Sequence, residues 1–321
     1  MDSLSLKNQL SHPEKDTIFQ RFFMNQKLES ILARLPHDIR NEIEIAPLGG
    51  GMTNQIYQLH RNGETFVLRV FGEGTELLGI NRHHERICAA IAAQTGVGAE
   101  VLSWIPGDDI LLTRFIAGKP LTAATALEPA ILECIVTTIH RCHEGSPFPG
   151  YFSPFRDIRA YCQMALERGV ALPASYPNTL AQLAQIEIAL GAVSQPKACH
   201  NDLLASNFIN DGQSIKIIDW EFAAMGDPFF DLGLFAADFN LDANECEFLL
   251  HCYFGTVRQA DLVRLHLMRM VGDLRESFCP FLLSAISKVD CDYIAYGNQC
   301  YERFLRVATS SKFGQWLQQV A

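Results

Sequence analysis

Three polar side chains near the middle of the chain have the types and the spacing that phosphoryl transfer needs. Asp202 and Asn207 lie five residues apart in the run HNDLLASNFI, and Asp219 ends the apolar segment that follows. A carboxylate and an amide carbonyl are oxygen ligands that suit Mg²⁺, which completes its coordination with water and substrate phosphates. A carboxylate on the preceding loop could accept the proton of an attacking hydroxyl. The spacing predicts Asp202 as the base and Asn207 with Asp219 as Mg²⁺ ligands.

A hairpin has to bring the two metal ligands together. Two short apolar runs flank Asp211-Gly212, and Asp-Gly is a strong turn signal. Opposed side chains of an antiparallel pair lie about 5 Å apart, so a turn near residues 212–213 places Asn207 and Asp219 at the same open end. An isolated Asp-Gly hairpin with flanking carboxylates is usually only a solvated turn. The third residue, Asp202, is what favours a metal–nucleotide site.

The periodicity of the chain changes once, and the change predicts its architecture. Strand patterns occupy residues 43–116, with turns at Arg61-Asn62-Gly63-Glu64 and at residues 106–109, and helical patterns dominate from Pro129 onward. The run Ala117-Gly118-Lys119-Pro120 breaks the pattern between them. We predict an α+β fold with a helical leader (1–42), a strand-rich lobe (43–116) and a larger helical lobe (117–321).

The composition excludes several classes of protein. The chain has 26 Lys and Arg against 36 Asp and Glu, a net charge of −10, so nucleic acid and anionic membranes are not expected partners. With 48% hydrophobic residues it is too apolar for a disordered protein. It shows no secretory signal and no apolar run of about 18 residues, which predicts a cytoplasmic protein. The ten cysteines form no CxxC pair and are expected to be reduced and mostly buried.

Two separated motifs resemble those of a known family. HNDLLASNFI and IIDWEFAAMGDPFFDLG are similar to the catalytic and metal-binding motifs of choline/ethanolamine kinases, within the aminoglycoside-phosphotransferase-like, protein-kinase-like superfamily. The resemblance implies a two-lobed kinase fold with ATP as co-substrate and Mg²⁺ bound in the cleft. It also implies Asp202 as catalytic base, Asn207 and Asp219 as Mg²⁺ ligands, and Asp231 as a structural acid.

The amino-terminal lobe carries further motifs of the same family in the expected order. Residues 48–54, LGGGMTN, look like the nucleotide-covering loop, although an ordinary hairpin would have a similar sequence. Backbone N–H groups of Gly50 and Gly51 could approach phosphate oxygens, and Thr53 or Asn54 could add side-chain donors.

The strand FVLRV carries Arg69 where protein kinases have a lysine, and Glu85 follows on the next helix. The resemblance implies that Arg69 clamps the α- and β-phosphates while Glu85 holds its guanidinium. The alternative is a surface ion pair worth under about 1 kcal/mol.

The acceptor is the least determined part of the prediction. Better-known choline kinases place tryptophans on the helix that corresponds to residues 265–278, and this chain lacks them there. Glu221, Asp273 or Glu276 could supply a counter-charge. Five aromatic residues could supply rings for a cation–π contact: Trp220, Phe222, Phe278, Tyr293 and Tyr296. Each of these residues is also common in cores and on surfaces.

The sequence therefore predicts an ATP-dependent kinase of a small amine alcohol, choline or ethanolamine. A thiamine kinase and an aminoglycoside phosphotransferase are alternatives, because the motifs specify the phosphate chemistry and not the acceptor. A catalytically inactive nucleotide-binding module is the alternative from another class. The sequence does not specify the oligomeric state.

Overall fold

Five antiparallel strands form a sheet in the amino-terminal part of the protein. They are β1 (Glu44–Pro47), β2 (Asn54–Arg61), β3 (Glu64–Phe71), β4 (Val101–Ile105) and β5 (Ile110–Arg114). Their order across the sheet is β1, β2, β3, β5, β4. The computed structural model describes residues 29–35, 39, 43–49, 52–72, 74–105 and 110–320.

The turn between β2 and β3 depends on Asn62 and Gly63. Both have positive φ, 49° and 80°, which is the conformation that tight two-residue hairpin turns require and that Asn-Gly adopts readily. Arg61 pairs directly with Glu64 across this turn, which confirms the predicted hairpin. The register of the pair fixes Arg69 on β3, close to the charged residues described below.

One face of the sheet holds the smaller of two hydrophobic cores. Leu59 and Leu68 are fully buried there, together with Ile31, Leu35 and Ile39 from the segment that precedes the sheet. Of the predicted helical leader, residues 29–32 are helical. The leader's residues 1–28, 36–38 and 40–42 lie outside the described residues.

Helix α1 (Arg82–Gln94) follows a short 3₁₀ turn and places Glu85 beside the sheet. Asn81 caps the helix, because its side-chain oxygen accepts hydrogen bonds from the backbone N–H groups of His83 (3.0 Å) and His84 (3.1 Å). The cap fixes where the helix begins. Glu85 therefore lies in the first turn, and its side chain contacts the sheet.

The carboxy-terminal part consists mainly of helices. They are α2 (Ala123–Ala126), α3 (Pro129–His143), α4 (Pro154–Glu167), α5 (Tyr176–Leu190), α6 (Pro228–Asp238), α7 (Ala243–Phe254), α8 (Gln259–Ile286), α9 (Tyr293–Ala308) and α10 (Ser311–Val320). The short strands between them are β6 (Lys119–Pro120), β7 (Lys197–Cys199), β8 (Phe208–Asn210), β9 (Ile215–Ile217) and β10 (Ala224–Gly226). Strands β6, β8 and β9 form one small sheet, and β7 pairs with β10. This division into a strand-rich and a helical part confirms the predicted α+β class.

Helix α8 runs through the larger core. It packs against α4, α6 and α9, and residues 270–283 are all buried. Helix α6 approaches it closely because Gly233 has no side chain: a Cβ there would lie 2.7 Å from the backbone nitrogen of Arg269. Arg275 and Glu276 belong to this buried stretch and therefore lie inside the protein and not on its surface.

A helix that crosses a membrane must be both long and apolar. The longest, α8, has 28 residues, but charged residues such as Asp273 and Arg275 interrupt its apolar sequence. No helix in the described ranges is both long and apolar enough to span a bilayer. The cytoplasmic location stays a prediction.

The short hairpin β8–β9 carries the residues for which chemistry was predicted. Phe208 pairs with Ile217, and Asp211 closes the turn by accepting hydrogen bonds from two backbone N–H groups. The predicted hairpin is confirmed. Asn207 and Asp219 flank its paired residues at the open end.

Candidate active site

A buried carboxylate holds the loop that carries Asp202. Asp231, in the first turn of α6, accepts hydrogen bonds from the backbone N–H groups of His200 (2.8 Å) and Asn201 (2.6 Å). His143 on α3 contacts the same carboxylate at 2.9 Å, and Asp231 is only 1% exposed. Hydrogen bonds to a charged group are stronger than neutral ones. The two amides that precede Asp202 therefore have a fixed position, which gives Asp231 a structural role.

The carboxylate of Asp202 lies between an arginine and an amide. Arg275 Nη1, on α8, donates to Oδ1 at 2.6 Å. Asn207 Nδ2 donates to Oδ2 at 3.1 Å and to the backbone carbonyl of Asp202 at 2.8 Å. The structure thus brings Asp202 and Asn207 together and adds Arg275 to them.

Asn207 and Asp219 line the same cavity. The backbone N–H of Ile218 donates to the carbonyl of Asn207 at 2.9 Å, so the two strands stay paired up to the residue before Asp219. Asp219 has a left-handed backbone with φ of 72°. That conformation is uncommon outside glycine and persists where the surrounding contacts enforce it, as at functional sites.

The donor atoms of these two side chains fit a hard cation. Because Nδ2 of Asn207 is turned toward Asp202, the carbonyl oxygen is the amide atom that can face a metal. Asp219 has a second carboxylate oxygen besides the one that contacts Arg69. One or two protein oxygens are what Mg²⁺ usually takes from a kinase-type site, so Asn207 and Asp219 are the residues that would hold it.

Two neighbouring carboxylates of the site have opposite pKa shifts. Burial raises the pKa of Asp219 to about 7, although Arg69 opposes the shift. Burial would also raise the pKa of Glu221, but Arg69 and Arg82 together hold it at about 2. Glu221 is therefore ionised at neutral pH. A cation bound at Asp219 would favour the ionised form of that carboxylate.

Arg69 lies at the centre of a buried charge cluster. Its Nη2 contacts Asp219 and lies 3.0 Å from Glu85 Oε1 and 3.3 Å from Glu221 Oε2. Arg69 is 8% and Glu85 1% exposed. Removing one partner of a buried pair leaves an uncompensated charge and costs about 3–5 kcal/mol. The weak surface pair considered from the sequence is therefore not what the structure contains.

Glu221 connects the predicted nucleotide loop to helix α1. It accepts hydrogen bonds from Thr53 Oγ1 and Asn54 Nδ2, both at 2.9 Å, and Arg82 lies 2.9 Å away. Thr53 and Asn54 thus donate to a carboxylate in this structure, and their contacts with phosphate stay a prediction. Two residues of the same predicted loop lie outside the described residues: Gly50 and Gly51.

A cavity of about 580 Å³ lies between the sheet and the helical part. Apolar side chains from both sides line it, including Ile56 and Leu111 from the sheet. Arg69, Asn207 and Asp219 supply polar groups. Apolar walls with a few convergent polar groups are typical of small-molecule sites, and this combination can hold a flat ring together with a charged, metal-bound group.

The structure places Trp220 on the wall of this cavity, and Glu221 follows it in the chain. Trp220 lines it and packs edge-on against the rings of Phe148 and His200. Glu221 belongs to the charge cluster and pairs with Arg82. Both residues were predicted to contact the acceptor, and that role stays a prediction.

Asp273 and Glu276 each have an arginine partner. Arg303 Nε donates to Asp273 at 2.6 Å. Arg275 contacts one oxygen of Glu276, and the hydroxyl of Tyr296 donates to the other at 2.9 Å. The counter-charges predicted for an amine are therefore engaged in ion pairs within the protein.

Two arginines of the site were not identified from the sequence. Arg82 could have been found, because it precedes Glu85 by three residues and side chains at that spacing meet on a helix; their contact measures 2.7 Å. Arg275 gave no such signal. It lies 73 positions from Asp202 in the chain, in a run without a recognisable motif.

The chain matches a known family over most of the residues that form this site. The family model Choline/ethanolamine kinase matches residues 45–252, which extend from β1 into α7 and include the charge cluster, the Asp202 loop and the β8–β9 hairpin. The chain belongs to the choline/ethanolamine kinase family. The family and the small-molecule kinase class predicted from the motifs are confirmed.

Two curated relatives match most of the length of this choline/ethanolamine kinase family member. Protein LicA of Haemophilus influenzae is 28% identical over 211 residues, which make up 64% of this chain but only 61% of that protein. Probable ethanolamine kinase A of Dictyostelium discoideum is 25% identical over 302 residues, 82% of this chain and 85% of the relative.

A solved structure agrees over nearly the whole chain. A choline/ethanolamine kinase family protein from Mesorhizobium loti is 28% identical, with a TM-score of 0.78, and the match covers 92% of this chain and 99% of that one. The two-lobed kinase-like fold predicted for this family member is confirmed.

Magnesium binding by this family member should weaken as the pH falls through about 7. Burial raises the pKa of Asp219 to about 7, so below that pH protons compete with the cation for this carboxylate. We expect the Mg²⁺ concentration for half-maximal ATP binding to rise by up to about tenfold per pH unit well below pH 7. Calorimetric ATP titrations at several Mg²⁺ concentrations, from pH 5.5 to 8.5, measure it.

The matched control is Asp219→Asn, whose residual Mg²⁺ binding should lack the contribution of this carboxylate. The phosphates of ATP are protonated over the same pH range in both experiments. The difference between the two pH dependences therefore isolates the contribution of Asp219. Parallel pH dependences in the two proteins would contradict the assignment.

Proposed function

We propose that the protein is a kinase that transfers the γ-phosphoryl group of Mg²⁺-bound ATP to the hydroxyl of a small amine alcohol, choline or ethanolamine. The observation that carries the proposal is that Asn207 and Asp219 both line the 580 Å³ cavity while Asn207 donates a hydrogen bond to Asp202. A base, an amide carbonyl and a second carboxylate are the groups that alcohol phosphorylation requires at that spacing.

Asp202 receives the acceptor in this proposal. Its carboxylate orients the hydroxyl and takes the proton as the alcohol oxygen bonds to the γ-phosphorus. The bond from that phosphorus to the bridging oxygen breaks, and ADP leaves. Asp231 supports this step indirectly, because its bonds to the amides of His200 and Asn201 hold the loop in place.

Asn207 and Asp219 bind the metal in this proposal. The Mg²⁺ ion, when bound, neutralises phosphate charge and orients the nucleotide. Arg69 stays beside Asp219 and faces the same cavity, a position from which its guanidinium can contact phosphate oxygens. Glu85 keeps the guanidinium at the cavity and links its position to that of α1.

The acceptor class rests on the family. The relatives named above are a LicA protein and a probable ethanolamine kinase, and the family description names choline and ethanolamine. In both acceptors two carbons separate the nitrogen from the hydroxyl, so one site can place the hydroxyl of either at Asp202.

An acceptor panel tests the proposal. ADP release is measured with Mg²⁺ and ATP against ethanolamine, choline, thiamine and kanamycin, and phosphorylated products are identified by mass spectrometry. We expect the highest kcat/KM with ethanolamine or choline. A preference for thiamine or kanamycin would overturn the acceptor class and keep the kinase. No ADP release with any acceptor, despite ATP binding, would favour an inactive nucleotide-binding module.

A further inference from the structure

The connection between α8 and α9, residues 287–292, forms part of the cavity wall. Two segments that are far apart in the chain line the cavity together, this α8–α9 connection and the predicted nucleotide loop. Their lining residues are Val289, Asp290 and Cys291 from the first, and Leu48, Gly49 and Met52 from the second. The α8–α9 connection lies beyond residues 45–252, which the family model matches. No family motif therefore marks its part in the site.

The hydroxyl of Tyr293 joins the two segments. Tyr293 begins α9 and is 4% exposed. Its hydroxyl donates to the backbone carbonyl of Met52 at 2.9 Å, across 241 positions of the chain, and lies 2.7 Å from Ser287 Oγ. Burial raises the pKa of Tyr293 to about 12. The hydroxyl therefore keeps, at neutral pH, the proton that the bond to Met52 requires.

The direction of these hydrogen bonds follows from the groups that form them. A carbonyl oxygen can only accept, so the single hydroxyl hydrogen of Tyr293 points to Met52. Ser287 must then donate to Tyr293, and the hydroxyl oxygen of Ser287 accepts from the backbone N–H of Val289 at 3.1 Å. One chain of hydrogen bonds thus runs from the α8–α9 connection through Tyr293 to the nucleotide loop.

The bond to Met52 acts next to the part of the loop that is most costly to order. Met52 directly follows Gly49-Gly50-Gly51 in the sequence, and glycine loses more conformational freedom than any other residue when its backbone is fixed. On the other side of the glycines, the N–H of Leu48 donates to the carbonyl of Ile56 at 2.8 Å. Tyr293 therefore helps to fix the second end of the glycine run.

We propose that Tyr293 is a positioning residue for nucleotide binding, whose hydroxyl holds the nucleotide loop and the α8–α9 connection together around the cavity. The inference rests on the proposed function, which places Mg²⁺-bound ATP there. In the free protein, arrangements in which the loop has moved away lack the bond to Met52. Without the hydroxyl these arrangements become more populated, and the affinity falls with the fraction of protein whose loop is in place. The proposed base and metal ligands are other residues, so the transfer step keeps its rate.

Tyr293→Phe tests this role, because it removes only the hydroxyl. We expect the Kd of Mg²⁺-bound ATP, measured by calorimetry without an acceptor, to rise about three- to tenfold, the range for the loss of one hydrogen bond. The KM for ATP should rise similarly, while kcat at saturating ATP stays within about twofold of the wild-type value. In the nucleotide-free protein, amide hydrogen exchange of residues 48–54 should become faster.

The matched control is Tyr301→Phe, on the same helix. Tyr301 is also buried, and its hydroxyl also contacts two side chains, those of Ser175 (2.9 Å) and Thr179 (2.7 Å). None of these three residues lines the cavity. A general loss of stability should appear in both variants by thermal unfolding. The change in ATP affinity and in loop exchange should appear only in Tyr293→Phe.

A third variant, Ser287→Ala, interrupts the chain of hydrogen bonds one step earlier. It leaves the bond from Tyr293 to Met52 possible, so its loss of ATP affinity should be smaller than that of Tyr293→Phe. If Tyr293→Phe does not fold, Ser287→Ala is compared with Tyr301→Phe in its place.

The outcomes are distinguishable from those of the proposed function. Equal ATP affinity and equal loop exchange in the Tyr293 and Tyr301 variants would overturn the positioning role while the kinase assignment stands. A fall in kcat with an unchanged Kd would overturn it as well. Failure of the wild-type protein to bind Mg²⁺-bound ATP would refute the proposed function, and the inference with it.

Discussion

Replacing Asp202 with asparagine is expected to lower kcat by about two to four orders of magnitude. The amide has nearly the same shape as the carboxylate but cannot take the hydroxyl proton. Because Asp202 is not one of the proposed metal ligands, the affinity for Mg²⁺-bound ATP should change little. Steady-state ADP release with ethanolamine gives kcat, and calorimetry gives the nucleotide affinity.

The control for this variant is Asp211→Asn, the same chemical change in the turn of the neighbouring hairpin. Among the described residues, the Asp211 side chain accepts hydrogen bonds from Gln213 and Ser214 of that turn, so kcat should stay close to that of the wild-type protein. A kcat of the Asp202 variant within tenfold of the wild-type value would remove Asp202 from the role of base.

Replacing Asp219 with alanine is expected to abolish most Mg²⁺-dependent ATP binding. The loss should exceed about 100-fold in affinity, since residues that only support a metal ligand already account for roughly tenfold to 100-fold. Asn207→Ala should show a milder loss of about tenfold, because the amide contributes an uncharged oxygen. ATP titrations across a Mg²⁺ series measure both variants.

Asn210→Ala provides the comparison for the metal ligands. Asn210 lies on the same hairpin, and its side chain accepts a hydrogen bond from Gly212 in the turn, away from the cavity. It should bind Mg²⁺-bound ATP normally. Wild-type affinity in both the Asp219 and the Asn207 variants would show that the hairpin is structural and that the metal lies elsewhere.

The part of the site that could be predicted from the sequence is the part that local geometry determines. Asn207 and Asp219 are joined by a hairpin whose turn residues are recognisable, and strand pairing then places them at one end. Asp202 is only five residues from Asn207. Over such short separations, turn chemistry and register are enough to bring side chains together, so motif and geometry agree.

The partners of the acidic residues could not be predicted, because they come from distant segments. Glu221 was expected to face the acceptor, yet Thr53 donates to it from 168 residues away. Arg275 reaches Asp202 only because α8 is buried in the core, and the sequence pattern of that helix does not show which neighbours its charged residues meet. Tertiary packing decides such pairs.

The charge cluster around Arg69 has a consequence for the order in which ligands arrive. Three carboxylates, Glu85, Asp219 and Glu221, surround two guanidinium groups, those of Arg69 and Arg82. When all five are ionised, the cluster carries one surplus negative charge; because burial raises the pKa of Asp219 to about 7, this state forms fully only above that pH. A bare polyanionic nucleotide would add repulsion at that point, whereas one already neutralised by its cation would relieve it. If Asn207 and Asp219 hold Mg²⁺ as proposed, we expect nucleotide and cation to enter together and uncomplexed nucleotide to compete only weakly for the site.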